Sequence, residues 1–474
     1  MLFNSYPFWA FFLIVYIVYW KLPKNYQNIY LLIASYIFYG SWDWRFLSLI
    51  MISTMVDFWA GISIVKNDIK RNVYLSISII TNLGILGIFK YFGFFSDQLS
   101  HFFTLMGVDY LFPTMNIILP IGISFYTFQT MSYTIDIYRG NMEPIDNLID
   151  FALYVSFFPQ LVAGPIERSY RLLPQIIQPR QFCKANISEG LYYIIYGLFL
   201  KIVIADNMAI ISDSIFNQDP EDLVGVDVLF GSYAFAFQIY GDFSGYSFIA
   251  KGLAKCLGID LMTNFKMPYL SIDPSDFWRR WHISLSSWLR DYLYIPLGGN
   301  KQGKLKTYRN LFITMLLGGL WHGANWTFIF WGMFHGIILI IYRVASELKI
   351  KTLFELFSKM EFFRSIHLLR CVIMFHLVCI GWIFFRSETI SHAYDLLEIL
   401  VTHFQQSSLS LTLIGLIAFY IIPIFIYELW NEKKGYLNFQ QHSTSSLILF
   451  FNYCLFMIII FPAPSHKEFI YFQF

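Results

Sequence analysis

Apolar segments long enough to cross a membrane recur along the whole length of this 474-residue chain. A spanning helix needs about 20 mostly apolar residues. Hydrophobic residues make up 57% of the chain and charged residues only 14%, whereas about a quarter of the residues are charged in soluble domains. No stretch between the apolar segments is long enough for a sizeable soluble domain. We therefore predict an all-α polytopic membrane protein, with residues 1–474 forming one integral-membrane domain in the lipid bilayer.

Loop charges predict how these segments are oriented, because Lys and Arg concentrate on the cytoplasmic side of membrane proteins. The first apolar segment, 7–20, precedes Lys21 and Lys24 and has no small-residue cleavage site, so we expect a retained helix and not a signal peptide. Five acidic residues and no Lys or Arg occur in 211–227, whereas ten Lys or Arg occur in 251–309. We predict that the acidic stretch and the N-terminus are extracytoplasmic, and that there are about eleven spans.

Charge and cysteine usage exclude several other classes of protein. The net charge of +2 is too small to indicate nucleic-acid binding. The cysteines show no CxxC spacing, so neither a disulfide framework nor a zinc site is predicted. They are Cys183, Cys256, Cys371, Cys379 and Cys454. One segment, FFPQLVAGPIER at 157–168, is interrupted by Pro and Gly and is predicted to be re-entrant.

A basic, aromatic stretch begins at a strong helix start. Asp273 suits the N-cap position and Pro274 the first helical position. The spacing of the aromatic residues predicts one amphipathic helix that continues to about Tyr294, with His282 on its polar face. Such a helix also fits a plain interfacial anchor.

A second histidine, His322, lies inside an apolar stretch. The ten residues 311–320 rise about 15 Å in a helix, which is about half of the hydrocarbon core. We therefore expect His322 near mid-membrane, far from the basic surface that carries His282. Glycines and Asn325 around it predict a close backbone approach or a local break in the helix. A hairpin with His322 near its apex is expected, and a simple crossing is the alternative. His335 follows 13 residues later, which would place it on roughly the opposite side of a continuous helix.

Ionisable residues are costly inside a membrane and therefore indicate function. A mid-membrane imidazole is suited to general-base chemistry, because its ordinary pKa is near neutrality. A hydrogen-bonded packing histidine is the alternative interpretation. No HxxxH, HxxH or HExxH pattern occurs among the histidines, so no metal site is predicted.

Five stretches of this sequence resemble the membrane-bound O-acyltransferase family. They match its bacterial branch of alginate O-acetylation, peptidoglycan O-acetylation and teichoic-acid D-alanylation proteins. The stretches are LPIGISFYTFQTMSYTIDIYRG (119–140), FFPQLVAGPIER (157–168), QIYGDFSGYSFIAKGLAKCLGI (238–259), RRWHISLSSWLRDYLYIPLGGN (279–300) and WHGANWTFIFWGMFHG (321–336). The recognisable pattern thus runs from 119 to 336.

The resemblance implies a ring of helices with re-entrant segments around a central funnel, in the bacterial cytoplasmic (inner) membrane. It assigns the catalytic histidine of the family to His322. A second family position, which is Asn, Asp or His depending on the branch, falls on His282. The implied reaction is transfer of an acetyl group from cytoplasmic acetyl-CoA, a substrate, to a hydroxyl on the other side, with no permanently bound cofactor.

Polar and aromatic residues around the two histidines are further candidates for binding, and the resemblance implies partners. We expect donor or substrate binding by eight residues: Arg279, Trp281, Arg290, Asp291, Tyr294, Asn325, Trp326 and His335. Arg279 and Arg290 would attract the donor's phosphates, although solvated surface charge explains them equally well. A separate periplasmic acetyltransferase partner and an exported polysaccharide acceptor, alginate-like or peptidoglycan, are also expected. The alternatives are a transporter with a histidine proton relay and a non-catalytic scaffold of a polysaccharide-export complex.

Overall fold

The computed structural model describes residues 1–108, 118–347, 363–433, 439, 443–464 and 469–470. These residues form helices and connecting loops and contain no β-strand, which confirms the all-α prediction. The α-helices are α1 (Tyr6–Lys21), α2 (Lys24–Asp43), α3 (Leu47–Lys66), α4 (Arg71–Leu86), α5 (Phe92–Leu105), α6 (Ile123–Tyr138), α7 (Leu148–Ser156), α8 (Phe158–Leu161), α9 (Ser169–Ile177), α10 (Lys184–Phe199), α11 (Asp206–Phe216), α12 (Gly225–Cys256), α13 (Pro274–Arg280), α14 (Ile283–Leu289), α15 (Lys304–His322), α16 (Trp326–Glu347), α17 (Phe363–Arg386), α18 (Ile390–Thr402), α19 (Ser410–Lys433) and α20 (Thr444–Ile460).

Several of these helices are suited to crossing a bilayer. Within the described ranges, six helical stretches are long and apolar enough to span a membrane, and two shorter apolar helices, Tyr6–Lys21 and Thr444–Ile460, accompany them. The polytopic class is therefore supported, whereas the expected number of about eleven spans is not confirmed by this count.

The chain divides into two compact units. The first comprises Met1–Ile194 and Tyr246–Met262, and the second comprises Ile195–Gly245 and Thr263–Phe474. In the first unit, every residue from 151 to 169 is buried, and the segment predicted to be re-entrant contains only the four-residue helix α8. The interruption by Pro and Gly is thus present, and re-entry into the membrane stays a prediction.

A buried polar network joins helices α3, α4 and α6 of the first unit. Asp57 is fully buried, and its carboxylate accepts from Ser78 Oγ at 2.5 Å and from Asn82 Nδ2 at 2.8 Å. Ser53 Oγ donates to Asn82 Oδ1 at 2.6 Å, and Ser78 Oγ lies 2.9 Å from Thr134 Oγ1. Because buried polar groups are costly unless they are hydrogen-bonded, these contacts fix how the three helices pack.

In the second unit, α12 approaches the preceding helical segment very closely. A Cβ on Gly241 would lie 2.9 Å from Leu200 O, and one on Gly245 would lie 2.8 Å from Gly197 O. Beside these contacts, buried Lys201 pairs with Asp206 at 2.9 Å and with Asp242 at 2.8 Å. The ion pairs therefore anchor α12 at the position that precedes Phe243, a neighbour of the candidate site.

The helices α15 and α16 form the predicted hairpin. Helix α15 ends at His322, α16 begins at Trp326, and the two helices pack tightly along their length. A Cβ on Gly332 would lie 3.1 Å from the Cα of Gly319, and one on Gly336 would lie 3.3 Å from the Cα of Phe312. These contacts can form only if the helices run antiparallel, so the interpretation with His322 near the apex is confirmed.

The predicted single helix from Asp273 to about Tyr294 is wrong in its middle. Its start is confirmed, because Asp273 accepts from Asp276 N at 2.8 Å and Pro274 is the first helical residue. However, α13 ends at Arg280, α14 begins at Ile283, and a π-helical turn, Arg290–Tyr294, follows. The helix is interrupted because the backbone of Arg280 and Ile283 hydrogen-bonds to Lys266 and Asn264, in the loop after α12, and not within a helix.

Candidate active site

His282 lies at the break between α13 and α14, and its backbone has the left-handed conformation, with φ 43° and ψ 54°. This region is unfavourable for a residue with a side chain and costs on the order of 1–3 kcal/mol, so it persists where surrounding contacts enforce it. Here Ile283 N donates to the backbone oxygen of Asn264 at 2.9 Å. The prediction that His282 lies on a polar helix face is wrong, since the residue is fully buried.

Asn264 organises the imidazole of His282. Its side-chain oxygen lies 3.3 Å from His282 Nδ1, and it also accepts from Ser284 N at 3.1 Å and from Ser284 Oγ at 2.9 Å. Because this oxygen can only accept, the proton of a neutral His282 resides on Nδ1, which leaves Nε2 as the acceptor nitrogen.

The surroundings of His282 keep it neutral. Burial lowers the pKa of His282 to about 3, because a charged imidazole would lose its hydration. Aromatic rings enclose it: Phe243 packs edge-on at 4.6 Å and Trp321 at 5.9 Å between ring centroids. Near neutral pH, His282 is therefore suited to orienting neighbouring groups by hydrogen bonding and packing, and not to carrying charge.

His322 is the last residue of α15 and is only 4% exposed. Its ring lies 6.4 Å from that of His282, 5.0 Å from Trp331 and 5.4 Å from Phe385, measured between centroids. The expectation that the two histidines lie far apart, one at the basic surface and one deep, is therefore wrong. The fold brings them into one aromatic cluster because His282 is drawn inward by its backbone break.

A cavity of about 320 Å³ leads to His322. Along α15 it is lined by Leu311, Thr314, Met315, Gly318 and His322, which share one helix face. These positions span about 16 Å of helical rise. Helix α16 contributes Trp331 and Leu339, and α13, α14 and the π-helical turn contribute Ser275, Trp278, Arg279, Leu285, Ser286, Leu289, Arg290 and Tyr294. The cavity is thus elongated and mostly apolar.

Three of the predicted donor-binding residues line this cavity. Arg279 and Arg290 are exposed, and Tyr294 is half-buried. Arg290 Nε donates to Asp291 Oδ1 at 2.7 Å, so Asp291 orients that guanidinium from outside the lining. The arrangement places cationic groups and His322 on the wall of the same cavity.

The other predicted residues lie elsewhere. Trp281 is buried among aromatic rings, with Phe265 at 5.1 Å and Trp382 at 5.0 Å between centroids. Asn325 caps α16: its Oδ1 accepts from Thr327 N at 3.1 Å, and its Nδ2 donates to Glu388 O at 3.2 Å. Trp326 is 46% exposed. None of these three lines the cavity.

His335 is fully buried and separated from His322 by Trp331. Its ring lies 4.8 Å from that of Trp331 and 5.1 Å from that of Trp278. Neither of its ring nitrogens has a hydrogen-bond partner among the described residues. His335 therefore supports the aromatic wall behind the cavity. Across the part of the chain that the structure describes, no three His, Cys, Asp or Glu side chains are arranged to hold a metal ion.

Sequence reasoning missed three residues of this site: Asn264, Trp278 and Trp331. Asn264 lies in the loop after α12, where no periodic signal marks it. Trp331 belongs to a stretch that carries the family resemblance and Trp278 directly precedes another, but in a chain with 20% aromatic residues nothing distinguishes them. Their roles follow only from the packing.

Several apolar helices of spanning length and a buried histidine at an elongated internal cavity define a polytopic helical membrane protein with an internal site. Comparison with known proteins narrows this class. The model of the membrane-bound O-acyltransferase family matches residues 144–386, which include both histidines. The chain belongs to this family and is an acyltransferase.

Individual relatives cover most of the chain. It is 44% identical over 395 residues to the probable alginate O-acetylase AlgI of Pseudomonas syringae pv. tomato, covering 82% of this chain and 73% of the relative. It is 36% identical over 401 residues to the peptidoglycan O-acetyltransferase of Helicobacter pylori, covering 79% of this chain and 73% of the relative. Identity to the teichoic acid D-alanyltransferase of Bacillus subtilis is 27% over 293 residues, covering 59% of this chain and 72% of the relative.

Proposed function

We propose that this protein is an O-acetyltransferase that moves an acetyl group from cytoplasmic acetyl-CoA, through the bacterial inner membrane, for O-acetylation of an exported polysaccharide. The observation that carries the proposal is the cavity that joins Arg279 and Arg290 to His322. Exposed guanidinium groups are suited to the phosphates of a coenzyme. The apolar lining is suited to its narrow acyl-bearing arm. The names of the relatives point to alginate-like polymers or peptidoglycan as the acceptor.

In this mechanism, His322 is the general base. It removes the proton of the acceptor hydroxyl while the hydroxyl oxygen attacks the thioester carbonyl carbon. The tetrahedral intermediate then collapses, the carbon–sulfur bond breaks, and the imidazolium returns its proton to the departing thiolate. The products are an acetyl ester and free coenzyme A. Such a base contributes roughly 10² to 10⁴ to the rate.

The position of His322 at the end of α15 favours this role. The backbone carbonyls at a helix C-terminus carry partial negative charge, which stabilises a nearby cation. The imidazolium that forms during proton transfer benefits from this field. His322 is 4% exposed, so little solvent screens the interaction.

His282 acts as a supporting residue. It stays neutral, its Nδ1 is directed toward Asn264, and its ring packs beside that of His322. We propose that His282 orients the ring of His322 and the acceptor hydroxyl. His335 stabilises the wall of the site through its contacts with Trp278 and Trp331.

The acceptor side of the proposal includes a second protein. We propose that a periplasmic acetyltransferase receives or uses the acetyl group and modifies the polysaccharide. The N-terminus is extracytoplasmic in this proposal, and the basic stretch near Arg279 and Arg290 faces the cytoplasm, where acetyl-CoA is made.

The test is substitution of His322 by Ala, with His376→Ala as the control, because His376 is an exposed histidine that contacts Tyr233. Cells that make each variant at normal membrane abundance are assayed for polysaccharide acetylation. We expect loss of at least 100-fold for His322→Ala and no loss for His376→Ala. Normal acetylation with His322→Ala would contradict the proposal.

Purified protein in liposomes distinguishes an enzyme from a transporter. Labelled acetyl-CoA is supplied on one side, together with a soluble hydroxyl acceptor on the other. We expect free coenzyme A to appear without transfer of intact acetyl-CoA into the opposite compartment. Net movement of the intact donor would favour the transporter.

A further inference from the structure

The indole nitrogen of Trp331 is buried without an acceptor. The side chain is 1% exposed, and Nε1 has no hydrogen-bond partner among the described residues. A buried tryptophan N–H normally finds a partner, and leaving a buried donor unpaired is destabilising. The position therefore calls for a functional explanation, which the role of an aromatic wall does not supply.

The surroundings of Trp331 fix its ring next to the proposed base. It lines the same cavity as His322, and the two rings meet edge to face at 5.0 Å and 86°. Trp382 stacks on it at 5.9 Å and 17°, and Phe385 contacts it at 5.4 Å. An indole held on several sides is already oriented before the donor arrives, which is the property that electrostatic catalysis requires.

The reaction needs a hydrogen-bond donor at this place. When the hydroxyl oxygen bonds to the carbonyl carbon, the π electrons of the carbonyl move onto its oxygen and form an oxyanion. A donor stabilises that charge if it lies about 3 Å from the oxyanion while the base lies close to the attacking oxygen. Trp331 and His322 line the same cavity, and their rings are in contact. A thioester bound there would lie beside both the base and the indole.

Three other polar side chains in this part of the protein already have acceptors. Ser286 Oγ donates to Trp281 O at 3.1 Å, and Thr314 Oγ1 donates to Asn310 O at 2.7 Å. Asn325 Nδ2 donates to Glu388 O. Trp278 Nε1 also lacks a partner within the described residues. Its ring contacts that of Trp331 at 5.7 Å, whereas Trp331 contacts the ring of His322 directly.

We propose that Trp331 is a catalytic residue whose indole N–H donates to the thioester carbonyl oxygen and stabilises the oxyanion. The inference rests on the proposed function, because it presumes His322 as the base of an acetyl transfer. Collapse of the oxyanion restores the carbonyl and expels the thiolate, which His322 protonates. The indole keeps its proton throughout.

The experiment compares Trp331→Phe, which keeps an aromatic ring and removes the N–H, with Trp382→Phe, which changes a stacked neighbour outside the cavity lining. Steady-state acetyl transfer is measured with the full-length protein in liposomes. We expect kcat to fall about 100-fold for Trp331→Phe with a KM for acetyl-CoA near the wild-type value, as for loss of one oxyanion donor. Trp382→Phe should retain kcat within about threefold, since its indole lies outside the cavity lining.

Binding of S-ethyl-CoA separates catalysis from packing, because this thioether has no carbonyl oxygen. Wild type and Trp331→Phe should bind it equally. A wild-type kcat in Trp331→Phe would overturn the inference, and so would a loss of S-ethyl-CoA affinity as large as the loss of kcat/KM. If His322→Ala is inactive while Trp331→Phe is fully active, only the role of Trp331 fails. If His322→Ala is active, the proposed function itself fails.

Discussion

At the scale of single residues, the backbone of His282 decides how the candidate site is built. It is one of two non-glycine residues with positive φ among the described residues, the other being Met267. The left-handed conformation ends α13 and turns the imidazole into the protein interior, where Asn264 fixes its tautomer. Asn is the residue other than Gly that tolerates this conformation best. The Asn, Asp or His that the family resemblance implies at this position is therefore consistent with a backbone requirement.

The buried, neutral state of His282 predicts how stability depends on pH. Its folded-state pKa, about 3, lies below its ordinary value. Below about pH 6.5 the unfolded chain therefore binds a proton that the folded protein does not, and stability falls as the pH decreases toward 3. His282→Asn removes this titration and tolerates the backbone. Between pH 6 and 4, we expect the wild type to lose about 1.4 kcal/mol per pH unit more than His282→Asn.

The measurement is denaturant unfolding in detergent, followed by tryptophan fluorescence at a series of pH values. Cys183→Ser, at an exposed position, serves as a control with wild-type pH dependence. Parallel pH dependences of the wild type and His282→Asn would show that His282 is hydrated and protonated in the folded protein, contrary to its burial.

At the scale of helices, the α15–α16 hairpin holds His322 and Trp331 beside the cavity. The hairpin depends on glycines at the helix contact, because Cβ atoms on Gly319 or Gly332 would meet the backbone of the opposite helix. The sequence predicted the hairpin from segment length and loop charge. A close backbone approach was one expectation from the glycines around His322. Which glycines face each other across the hairpin was not predictable, because the helical register is set by tertiary packing.

Gly332→Ala tests this contact. The added Cβ would lie 3.1 Å from Gly319 Cα and even closer to the backbone oxygen of Met315, so the helices must separate. We expect a loss of about 1–3 kcal/mol in stability, as for an overpacked core, together with reduced acetyl transfer. Thermal unfolding of purified protein and the liposome assay measure the two effects.

Gly415→Ala is the matched control, because Gly415 lies within α19 and a Cβ there meets no atom within 4 Å. Alanine is favoured over glycine in helices by about 1 kcal/mol, so this variant should be as stable as the wild type or slightly more stable. Equal behaviour of the two alanine variants would mean that the helices are not in close contact at Gly332.

At the scale of the whole molecule, loop charge predicts the orientation in the membrane. The acidic stretch 211–227 and the basic stretch 251–309 are predicted on opposite sides. The two compact units of the structure do not decide this, and the prediction of one integral-membrane domain stays a prediction. Orientation matters for the proposed function, because that function takes acetyl-CoA from the cytoplasm and acetylates an exported polysaccharide.

Cysteine labelling tests the orientation. Gln218→Cys and Gln302→Cys introduce thiols at exposed positions, in a background where exposed Cys183 is replaced by Ser. In intact spheroplasts, a membrane-impermeant maleimide should label position 218 and should label position 302 only after permeabilisation. Labelling of both positions in intact spheroplasts would refute the predicted topology.

The sequence by itself determined the helical membrane class, the helix start at Asp273 and the hairpin around His322. These properties depend on local signals: apolar segment length, capping residues and loop charge. Only the tertiary structure decided that the chain breaks at His282, that Asn264 orients its ring and that the two histidines lie 6.4 Å apart. Such features arise from contacts between residues distant in the chain, whose energies override the local helical preference. The cavity and the position of Trp331 beside His322 were likewise decided only by the tertiary structure.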